Sequence, residues 1–574
     1  MKIGLISVGS IVAQGVRSLS SYLKKHGHEV ISIFFAKFEY YNTFSIERFT
    51  QIPFQRDILN LLNKCDLIGV SCYSYNSFET VYIIKILKYL NVPIVWGGVH
   101  ATLCPDDCLN YTDIVCIGEG ESALLELIEK LEKGKDIYNT LNFWFRKEDS
   151  IISNPVRPLL EMDVIPCPDF SFKDQYIFNG HVIVPQRPEH HREILFYSTS
   201  YGCSFKCSFC ANLSLQNISN PDNKKKKYTP VIRKKSIEKI IEELLEITSY
   251  FKKLKCICFG DDLFLSRSLG EIEKFSFFYK EKIKIPFTCI TAPTTVSDKK
   301  LKILVSAGLY FVSMGIQTGS ERINKEIYNR NISNEKVLKS AKILHKYSER
   351  MGYPPSFDFI IENPYETKED IIETIKLLQK LPKPFGFQTC SLQFFPNTEL
   401  YNKAVKDGLI NDKKEVIEKL NKVDLIGRPL VSKCESFSND LISLNDVLKL
   451  ASNFVSENMY GLIPAQFINS FVSENNTFSN LKIKIPYHIE ERIKNNKSFS
   501  FFNFLGINTK ILIHLLKVIA YLTQKNHEIF NQDSQPTITV NEIDYKLFIK
   551  SLELYWNEIK DSVNDYLKDC NKVK

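Results

Sequence analysis

Three thiols crowd into one short run, Tyr201-Gly202-Cys203-Ser204-Phe205-Lys206-Cys207-Ser208-Phe209-Cys210. Thiolate sulfur selects soft metals, so such a loop points to zinc or to an iron–sulfur cluster rather than to a hard cation. Zinc needs a fourth ligand, and an iron–sulfur cube ordinarily takes four cysteines. No fourth cysteine lies nearby in the chain. On so short a loop the three sulfurs are expected to converge on one point. A cluster held by three cysteines leaves one iron open, and an open iron is where substrate chemistry happens. A chance cluster or a zinc loop is the bland alternative.

Other residues with chemical potential fall at regular intervals around this run. Phe259-Gly260-Asp261-Asp262-Leu263-Phe264 brings two carboxylates to the end of an apolar stretch, where they either act or cap the next helix. Gln317, in Met314-Gly315-Ile316-Gln317-Thr318-Gly319-Ser320, is an amide that binds a polar ligand or sits satisfied in the core. Upstream, Trp96-Gly97-Gly98-Val99-His100-Ala101-Thr102 and Gly118-Glu119-Gly120-Glu121-Ser122 offer glycines that let a ligand approach the backbone closely. Neither is a dinucleotide fingerprint, because the first turn, Val8-Gly9-Ser10-Ile11-Val12, lacks the glycine pattern. Cys104, Cys108 and Cys116 read as free thiols. Cys256 and Cys258 alternate on a strand and share one face, expected to be apolar core. Lys224 to Lys227 read as a solvated loop, with docking of an acidic electron donor as the second use. His26 and His28 lie at a helix–strand turn and read as hydrogen-bonded or solvated.

Two series of alternating elements must position these groups. In residues 1–140, strand-like runs are Lys2–Val8, Glu29–Phe35, Asp66–Cys72, Pro93–Trp96 and Asp113–Ile117, with amphipathic runs such as Val12–His26 and Phe78–Leu90 between them. Strands apolar throughout are buried on both faces, as in a doubly wound parallel sheet, whose ligands sit beyond the carboxyl ends of the strands. Residues 141–190, rich in Pro and Asp, read as a linker with little regular structure. From 191 to 414 the strand-like runs are Glu193–Ser198, Lys255–Phe259, Phe287–Thr291, Tyr310–Ile316, Ser356–Ile361 and Gly386–Phe395, with helical patterns such as Ser236–Thr248, Lys299–Ala307, Asn334–Lys346 and Lys368–Leu378. Six β-α units in series predict a partial barrel with its chemistry at the strand ends. Residues 415–574 are Lys/Asn/Ile-rich and mostly helical by period, and no chemical motif is legible there.

Composition narrows the class. A chain of 574 residues holds about three to four domains. With 44% hydrophobic and 24% charged residues it is ordinary globular protein, and a net charge of +8 gives no argument for nucleic acid. The start, Met1-Lys2-Ile3-Gly4-Leu5-Ile6, lacks a secretory apolar region, which predicts a reducing cytoplasm where clustered cysteines mean metal or catalysis. No stretch spans a membrane; the best candidate, Ile511 to Leu522, carries Lys510, His514 and Lys517 at helical spacing and reads as an amphipathic helix packed on a core.

The spacing C-x3-C-x2-C, with an aromatic residue before the last cysteine, resembles the radical S-adenosylmethionine (SAM) superfamily. The resemblance implies a 4Fe-4S cluster on Cys203, Cys207 and Cys210, with the fourth iron chelated by SAM and Phe209 beside the adenine. Asp262 falls in a segment similar to the family's Asp-Asp-x-Phe turn. Gln317 and Ser320 fall in one like its Gly-x-Glu-Ser, with Gln317 replacing the usual Glu and losing charge assistance. Asn363-Pro364-Tyr365-Glu366-Thr367 resembles Pro-Gly-Glu-Thr, with Tyr365 for Gly. Phe395-Pro396-Asn397-Thr398-Glu399-Leu400 resembles the closing Pro-Gly-Thr-x-Leu, where Asn397 can take the left-handed conformation that Gly supplies. Tyr201 stands where the family commonly has Arg. Residues 1 to about 415 are further similar to the cobalamin-dependent radical SAM group. That implies a base-off cobalamin near Gly97, Gly98, His100, Gly118 and Gly120, with the loop Ser71–Ser77 facing the corrin. The cobalt-binding D-x-H-x-x-G signature is absent.

The resemblance therefore implies reductive SAM cleavage and methylation of an unactivated carbon of a small-molecule or peptide substrate. A flavodoxin or ferredoxin would supply electrons, and neither nucleic acid nor membrane is expected as a partner. A radical cyclase or rearrangement enzyme would use the same parts. A non-catalytic corrinoid or iron–sulfur binding module is the alternative of another class, and a methylthiotransferase lacks its expected extra cysteines here.

Overall fold

The computed structural model describes residues 1–35, 52–178, 182–191, 193–219, 232–382 and 385–421, and beyond them only short strands at 423–424, 428–429, 482–484 and 537–539. Contacts divide the chain into Met1–Ser436 and Phe437–Lys574, and every site below lies in the first unit. In the second, the described strands Lys482–Lys484 and Thr537–Thr539 pair in parallel. The expected C-terminal helices, the Ile511–Leu522 segment and the Lys224–Lys227 run lie outside the described residues. Among the described residues no helix is long and apolar enough to cross a membrane.

The first domain is built on β1 (Lys2–Val8), β2 (Glu29–Phe35), β3 (Leu67–Cys72), β4 (Ile94–Gly97) and β5 (Ile114–Cys116). Helices α1 (Gln14–Lys25), α2 (Ile52–Leu62), α3 (Ser77–Leu87), α4 (Gly98–Leu103), α5 (Pro105–Leu109) and α6 (Glu121–Glu132) connect and cover them. Alternate residues of each strand feed two separate cores. Ile6, Val8, Ile33, Ile68 and Trp96 pack with α2, α3 and α5 on one face. Ile3, Leu5, Phe34, Leu67 and Val95 pack with α1 and α6 on the other. Burial on both faces is why these strands read as unbroken apolar runs. The parallel order 2-1-3-4-5 reverses between β1 and β3, so the ligand crevice of this domain opens beyond Val8 and Cys72.

The segment expected as an unstructured linker instead extends this sheet at both edges. Phe143–Lys147 (β6) pairs antiparallel with β5, and Ser150–Ser153 (β7) pairs with β6. On the far side Gln175–Phe178 (β8) runs parallel to β2, and Ile183–Pro185 (β9) returns antiparallel. The sheet thus has nine strands, not about five. Arg17 pins the second of these additions. Its buried guanidinium donates to the Asp169 carbonyl and Gln175 Oε1, both at 2.7 Å, and to Gln186 Oε1 at 3.0 Å, and it lies 4.2 Å from the Phe170 ring. A buried cation needs such a set of acceptors to be tolerated.

The second domain is an open barrel of six parallel strands in sequential order: Ile194–Tyr197, Cys256–Phe259, Phe287–Thr291, Leu309–Gln317, Ser356–Ile361 and Gly386–Ser391. Helices α7 (Ala211–Ser219), α8 (Ile237–Ser249), α9 (Leu269–Lys282), α10 (Asp298–Ser306), α11 (Asn334–Lys346) and α12 (Lys368–Lys380) follow the strands, with α13 (Glu399–Lys406) and α14 (Lys413–Asn421) closing the unit. The outward faces pack on helices; Phe259 and Phe287 meet Phe264, Phe275 and Tyr279 in one aromatic core. The inward faces stay open, with Phe196 on the first strand 45% exposed and Ile290 on the third, an interior strand, 44% exposed. Only a hollow inside the barrel explains this. Cys256 and Cys258 share one face, as their spacing predicts, but they stand half-buried toward that hollow rather than in the apolar core, with Cys258 level with Thr288.

Candidate active site

The cysteine loop leaves the first barrel strand through Thr199, Ser200 and Tyr201, turns at Gly202 (φ +96°) and runs into α7. Its root is held by Asp261, whose carboxylate accepts from the Thr199 N–H at 2.5 Å, from the Ser200 hydroxyl at 2.8 Å and from the Thr199 hydroxyl. Asp261 therefore fixes a strand end and caps no helix; α9 is capped by Ser268 in a capping box with Glu271. Ser208 anchors the far side. Its N–H donates to the Tyr328 carbonyl at 3.0 Å, its hydroxyl to the Ile327 carbonyl at 2.5 Å, and its own carbonyl accepts from Leu400 N–H at 2.9 Å. Gln216 on α7 donates to the Cys203 carbonyl at 3.2 Å.

Burial pushes the thiols of Cys203 and Cys207 up to about 11 and that of Cys210 to about 12. Loading metal onto them must then release three protons at neutral pH. The thiols lie within electrostatic reach of one another. Yet among the described residues no three His, Cys, Asp or Glu side chains gather tightly enough to hold one ion, so the expected convergence on a point is not seen. A four-iron cube takes one thiolate per iron and so asks for no convergence on a single point. The donor set fits such a cube in a second respect: the buried guanidinium of Arg330 draws down the pKa values of all three thiols.

The remaining strand ends surround this loop. Phe209 is half-buried and meets Tyr328 edge-on at 4.9 Å. Gln317 takes φ +76° at a register shift against the fifth strand, and its amide has no partner among the described residues. A Cβ on Gly315 would come 2.5 Å from Gln317 Nε2, so glycine there is what admits the amide. Asp262 is open at its surface, yet burial raises its carboxyl and Asn212 on α7 bonds it. Ser320 is fully buried and engaged, donating to Asp370 Oδ1 at 2.5 Å and accepting from the Ile323 N–H at 3.2 Å; it acts on the site by shaping the turn. Asn397 adopts φ +63°, as its replacement of glycine requires, and its amide donates to the Leu103 carbonyl of the first domain. Sequence reasoning passed over Glu366, a buried carboxyl beside Thr318 that burial and Asp370 raise to about 8. Its place in the strand-five segment was the available signal.

In the first domain Gly98 (φ +90°) is the glycine that the turn demands, because a Cβ would meet Ser71 Oγ at 2.5 Å and the Cys72 backbone at 3.0 Å. Gly97 and Gly120 are not so constrained; their added Cβ would touch only side chains. Gly118 (φ +74°) donates its N–H to Thr102, whose hydroxyl donates to the Gly98 carbonyl, so the two glycine turns are tied together. Beside them a narrow cleft is lined by Gly118, Glu119, Glu121, Ser122, Asn142 and Arg157. His100 is fully buried, with Nε2 3.1 Å from Asp107 Oδ2 and Nδ1 3.2 Å from Ser74 Oγ, so it braces the loop after β3. His26 and His28 are engaged by Tyr22 and by Met1. Cys104, Cys108 and Cys116 are buried free thiols, as expected.

The two domains turn their strand ends toward each other. Gln14 of α1 exchanges two bonds with Ser198 at the end of the first barrel strand, at 2.8 and 3.1 Å, and Arg233 pairs with Glu119. Tyr73, in the loop after β3, stacks on Tyr75 with ring centres 5.3 Å apart. Tyr73 is 47% exposed, yet burial and the Asp262 charge both raise its hydroxyl. Tyr73 thus brings the loop at the first domain's switch point within electrostatic reach of Asp262 of the barrel.

A doubly wound domain facing a half-barrel with a three-cysteine loop defines a class: the cobalamin-dependent radical SAM enzymes. The B12 binding domain family matches residues 2–128 and the Radical SAM superfamily matches residues 197–378. The chain belongs to the radical SAM superfamily, in the group that carries a B12-binding domain, and its cofactors are a 4Fe-4S cluster, SAM and cobalamin. It is 29% identical over 366 residues to an uncharacterized methyltransferase of Pyrococcus horikoshii, covering 62% of this chain and 73% of that one. It is 22% identical to cytidylyl-2-hydroxyethylphosphonate methyltransferase of Streptomyces wedmorensis, over 72% of this chain and 82% of that one. Among solved structures it resembles the cobalamin-dependent SAM radical enzyme OxsB with aqua-cobalamin and SAM bound, at TM-score 0.60 and 15% identity over 99% of this chain and 81% of that chain. The methyltransferase TsrM of Kitasatospora setae aligns at TM-score 0.56 and 14% identity, over 71% and 76%. These likenesses support the fold.

Proposed function

We propose that this enzyme methylates an unactivated carbon of a small-molecule or peptide substrate held in the barrel hollow. The observation that carries the reading is the approach of the two strand-end regions: Tyr73, in the loop after β3, lies within reach of the Asp262 charge, and Gln14 bonds Ser198 at the root of the cysteine loop. Bound in these sites, the reduced cluster and SAM supply a carbon-centred radical and cobalamin supplies a transferable methyl group. The chain's own residues orient and enclose. Cys203, Cys207 and Cys210 hold the cluster on a loop fixed by Asp261 and Ser208. Phe209 flanks the adenine of SAM, and Gln317 and Asp262 offer it polar contacts from facing strand ends, with Ser320 shaping the turn that carries Gln317. Gly97, Gly98, Gly118 and Gly120 border the cobalamin, and His100 braces its loop through Ser74. Closure between the domains excludes water from the radical.

The relatives named as methyltransferases act on unlike compounds, from a cytidylyl phosphonate to a bacteriochlorophyllide, so they do not pass a substrate to this chain. The electron donor is taken to be a flavodoxin or ferredoxin and the compartment the cytoplasm. The test is anaerobic reconstitution of the full chain, followed by assay of 5′-deoxyadenosine and methionine from SAM and of retained corrinoid. Wild-type protein should cleave SAM and keep cobalamin, and Cys207→Ala should lose both cluster and cleavage. Cleavage retained by Cys207→Ala refutes the site. Cleavage without retained corrinoid, or without label from methyl-labelled SAM in the substrate once it is in hand, favours a radical rearrangement.

A further inference from the structure

Arg330 stands just past the π-helical turn Ile323–Ile327 that follows the fourth barrel strand. Its side chain is 5% exposed. Nη2 donates to the Gly315 carbonyl at 2.6 Å and Nη1 to the Ile316 carbonyl at 3.2 Å, while Nε is buried with no partner. The guanidinium lies 5.5 Å from the centre of the Phe205 ring, inside the cysteine triplet. Among the described residues no carboxylate forms an ion pair with it; the negative groups within its electrostatic reach are the three cysteines and Asp358. Asp358 spends one oxygen on Ser313 at 2.7 Å.

A guanidinium stays charged in a protein. Buried with no carboxylate in ion-pair contact among the described residues it is costly, and carbonyl dipoles and the more distant Asp358 offset only part of that. Three thiolates are the charge that fits its position. Cluster potentials are set by net charge, hydrogen bonding and exposure, and a fixed positive charge favours whichever redox form is more negative. The form carrying the added electron is the more negative one.

We propose that Arg330 is the counter-charge of the cluster: placed against the three cysteine ligands, it stabilises the reduced form and sets the potential at which the cluster accepts its electron. The inference rests on the reading of Cys203, Cys207 and Cys210 as cluster ligands. The step moves one electron, from dithionite in the test and from a low-potential donor protein in the cell, and it breaks no bond.

The test is a potentiometric titration of the reconstituted full chain, with the reduced cluster read by electron paramagnetic resonance and iron counted per chain. Two neutral variants are used, Arg330→Met and Arg330→Gln; the second keeps an amide donor for the Gly315 carbonyl. At a fixed potential the ratio of reduced to oxidised cluster should fall about ten-fold in both, a shift of about 59 mV for one electron. Arg330→Lys should stay within about a factor of two of wild type. Loss of the cluster from both neutral variants but not from Lys also supports the charge requirement. A neutral variant that keeps its iron and titrates like wild type overturns the proposal. So does a Lys variant that shifts, or loses its cluster, as the neutral ones do, because shape rather than charge would then be at work. A wild-type chain that forms no cluster refutes the ligand assignment itself, a separate failure.

Discussion

Replacing Glu366 with Gln should stabilise the folded chain, and the gain should grow with pH. Glu366 is 7% exposed at the end of the fifth barrel strand. Burial first, and the neighbouring Asp370 charge second, raise its carboxyl from 4.5 to about 8. The nearest cation gives little relief. Arg322 is committed to Asp370, which also accepts from Ser320 and from Thr367 and is held below the usual carboxylate range. Two adjacent carboxyls are thus pushed apart, one ionised and one neutral at pH 7. Between pH 4.5 and about 8 the folded chain binds a proton at Glu366 that the unfolded chain has released. Stability contributed at this site is therefore intact below pH 4.5 and is lost as pH rises toward 8, by ~1.4 kcal/mol per unit. At pH 7.5 three units have accumulated, or ~4 kcal/mol.

Glutamine has no proton to hold, and its amide oxygen still accepts from Thr318. Urea unfolding of wild type and Glu366→Gln at pH 5.5, 6.5 and 7.5 should show a gap that is small at the lowest pH and widens by ~1.4 kcal/mol per unit. A gap that ignores pH, or a variant less stable than wild type at pH 7.5, would refute the claim that the native carboxyl is neutral.

Gly98→Ala puts a Cβ against Ser71 and the Cys72 backbone at φ +90°, where an L-residue costs ~1–2 kcal/mol before any clash. Corrinoid retained after gel filtration should drop at least ten-fold, and full retention would show that this turn does not shape the cobalamin site. At Asn397, thermal unfolding should rank Asn above Gly above Val. Glycine loses the bond to Leu103, ~1 kcal/mol, and valine adds the left-handed strain of φ +63°. Equal losses would mean the backbone conformation does not select the residue.

The parallel strands were the most legible part of the chain. Lys2–Val8 and Glu29–Phe35 coincide with their sequence-predicted bounds, because a strand buried on both faces carries its signal in every residue, and Phe287–Thr291 and Ser356–Ile361 coincide with theirs although one face of each opens on the barrel hollow. The added strands in 141–190 were not legible. Phe143–Lys147 and Gln175–Phe178 are only five and four residues long, and the surrounding prolines outweighed them although each strand merely extends a sheet already formed. Cys256 and Cys258 show the other limit. A period of two puts them on one face, but a hollow belongs to the assembled barrel and leaves no local mark. The site divides in the same way. The cysteine loop and Asn397 are contiguous motifs with their own chemistry. Arg330 is an ordinary-looking basic residue whose meaning comes from folding back over Phe205.

The ties between the domains follow from one backbone requirement. A parallel strand that ends at a ligand site leaves its last N–H and C=O groups without a neighbouring strand, and such groups must find partners. Gln14 satisfies both groups of Ser198, so its side-chain amide extends the first barrel strand by one rung from the other domain. Asn397 does the same for the Leu103 carbonyl at the end of α4, just past the glycine turn. The polar ends that open each sheet to its cofactor are therefore the groups that hold the two sheets at a fixed separation. Apolar packing adds to these ties where Tyr75 lies against Tyr401, Ala404, Val416 and Leu420; extended along the whole seam it would fill the space that the cofactors and substrate need.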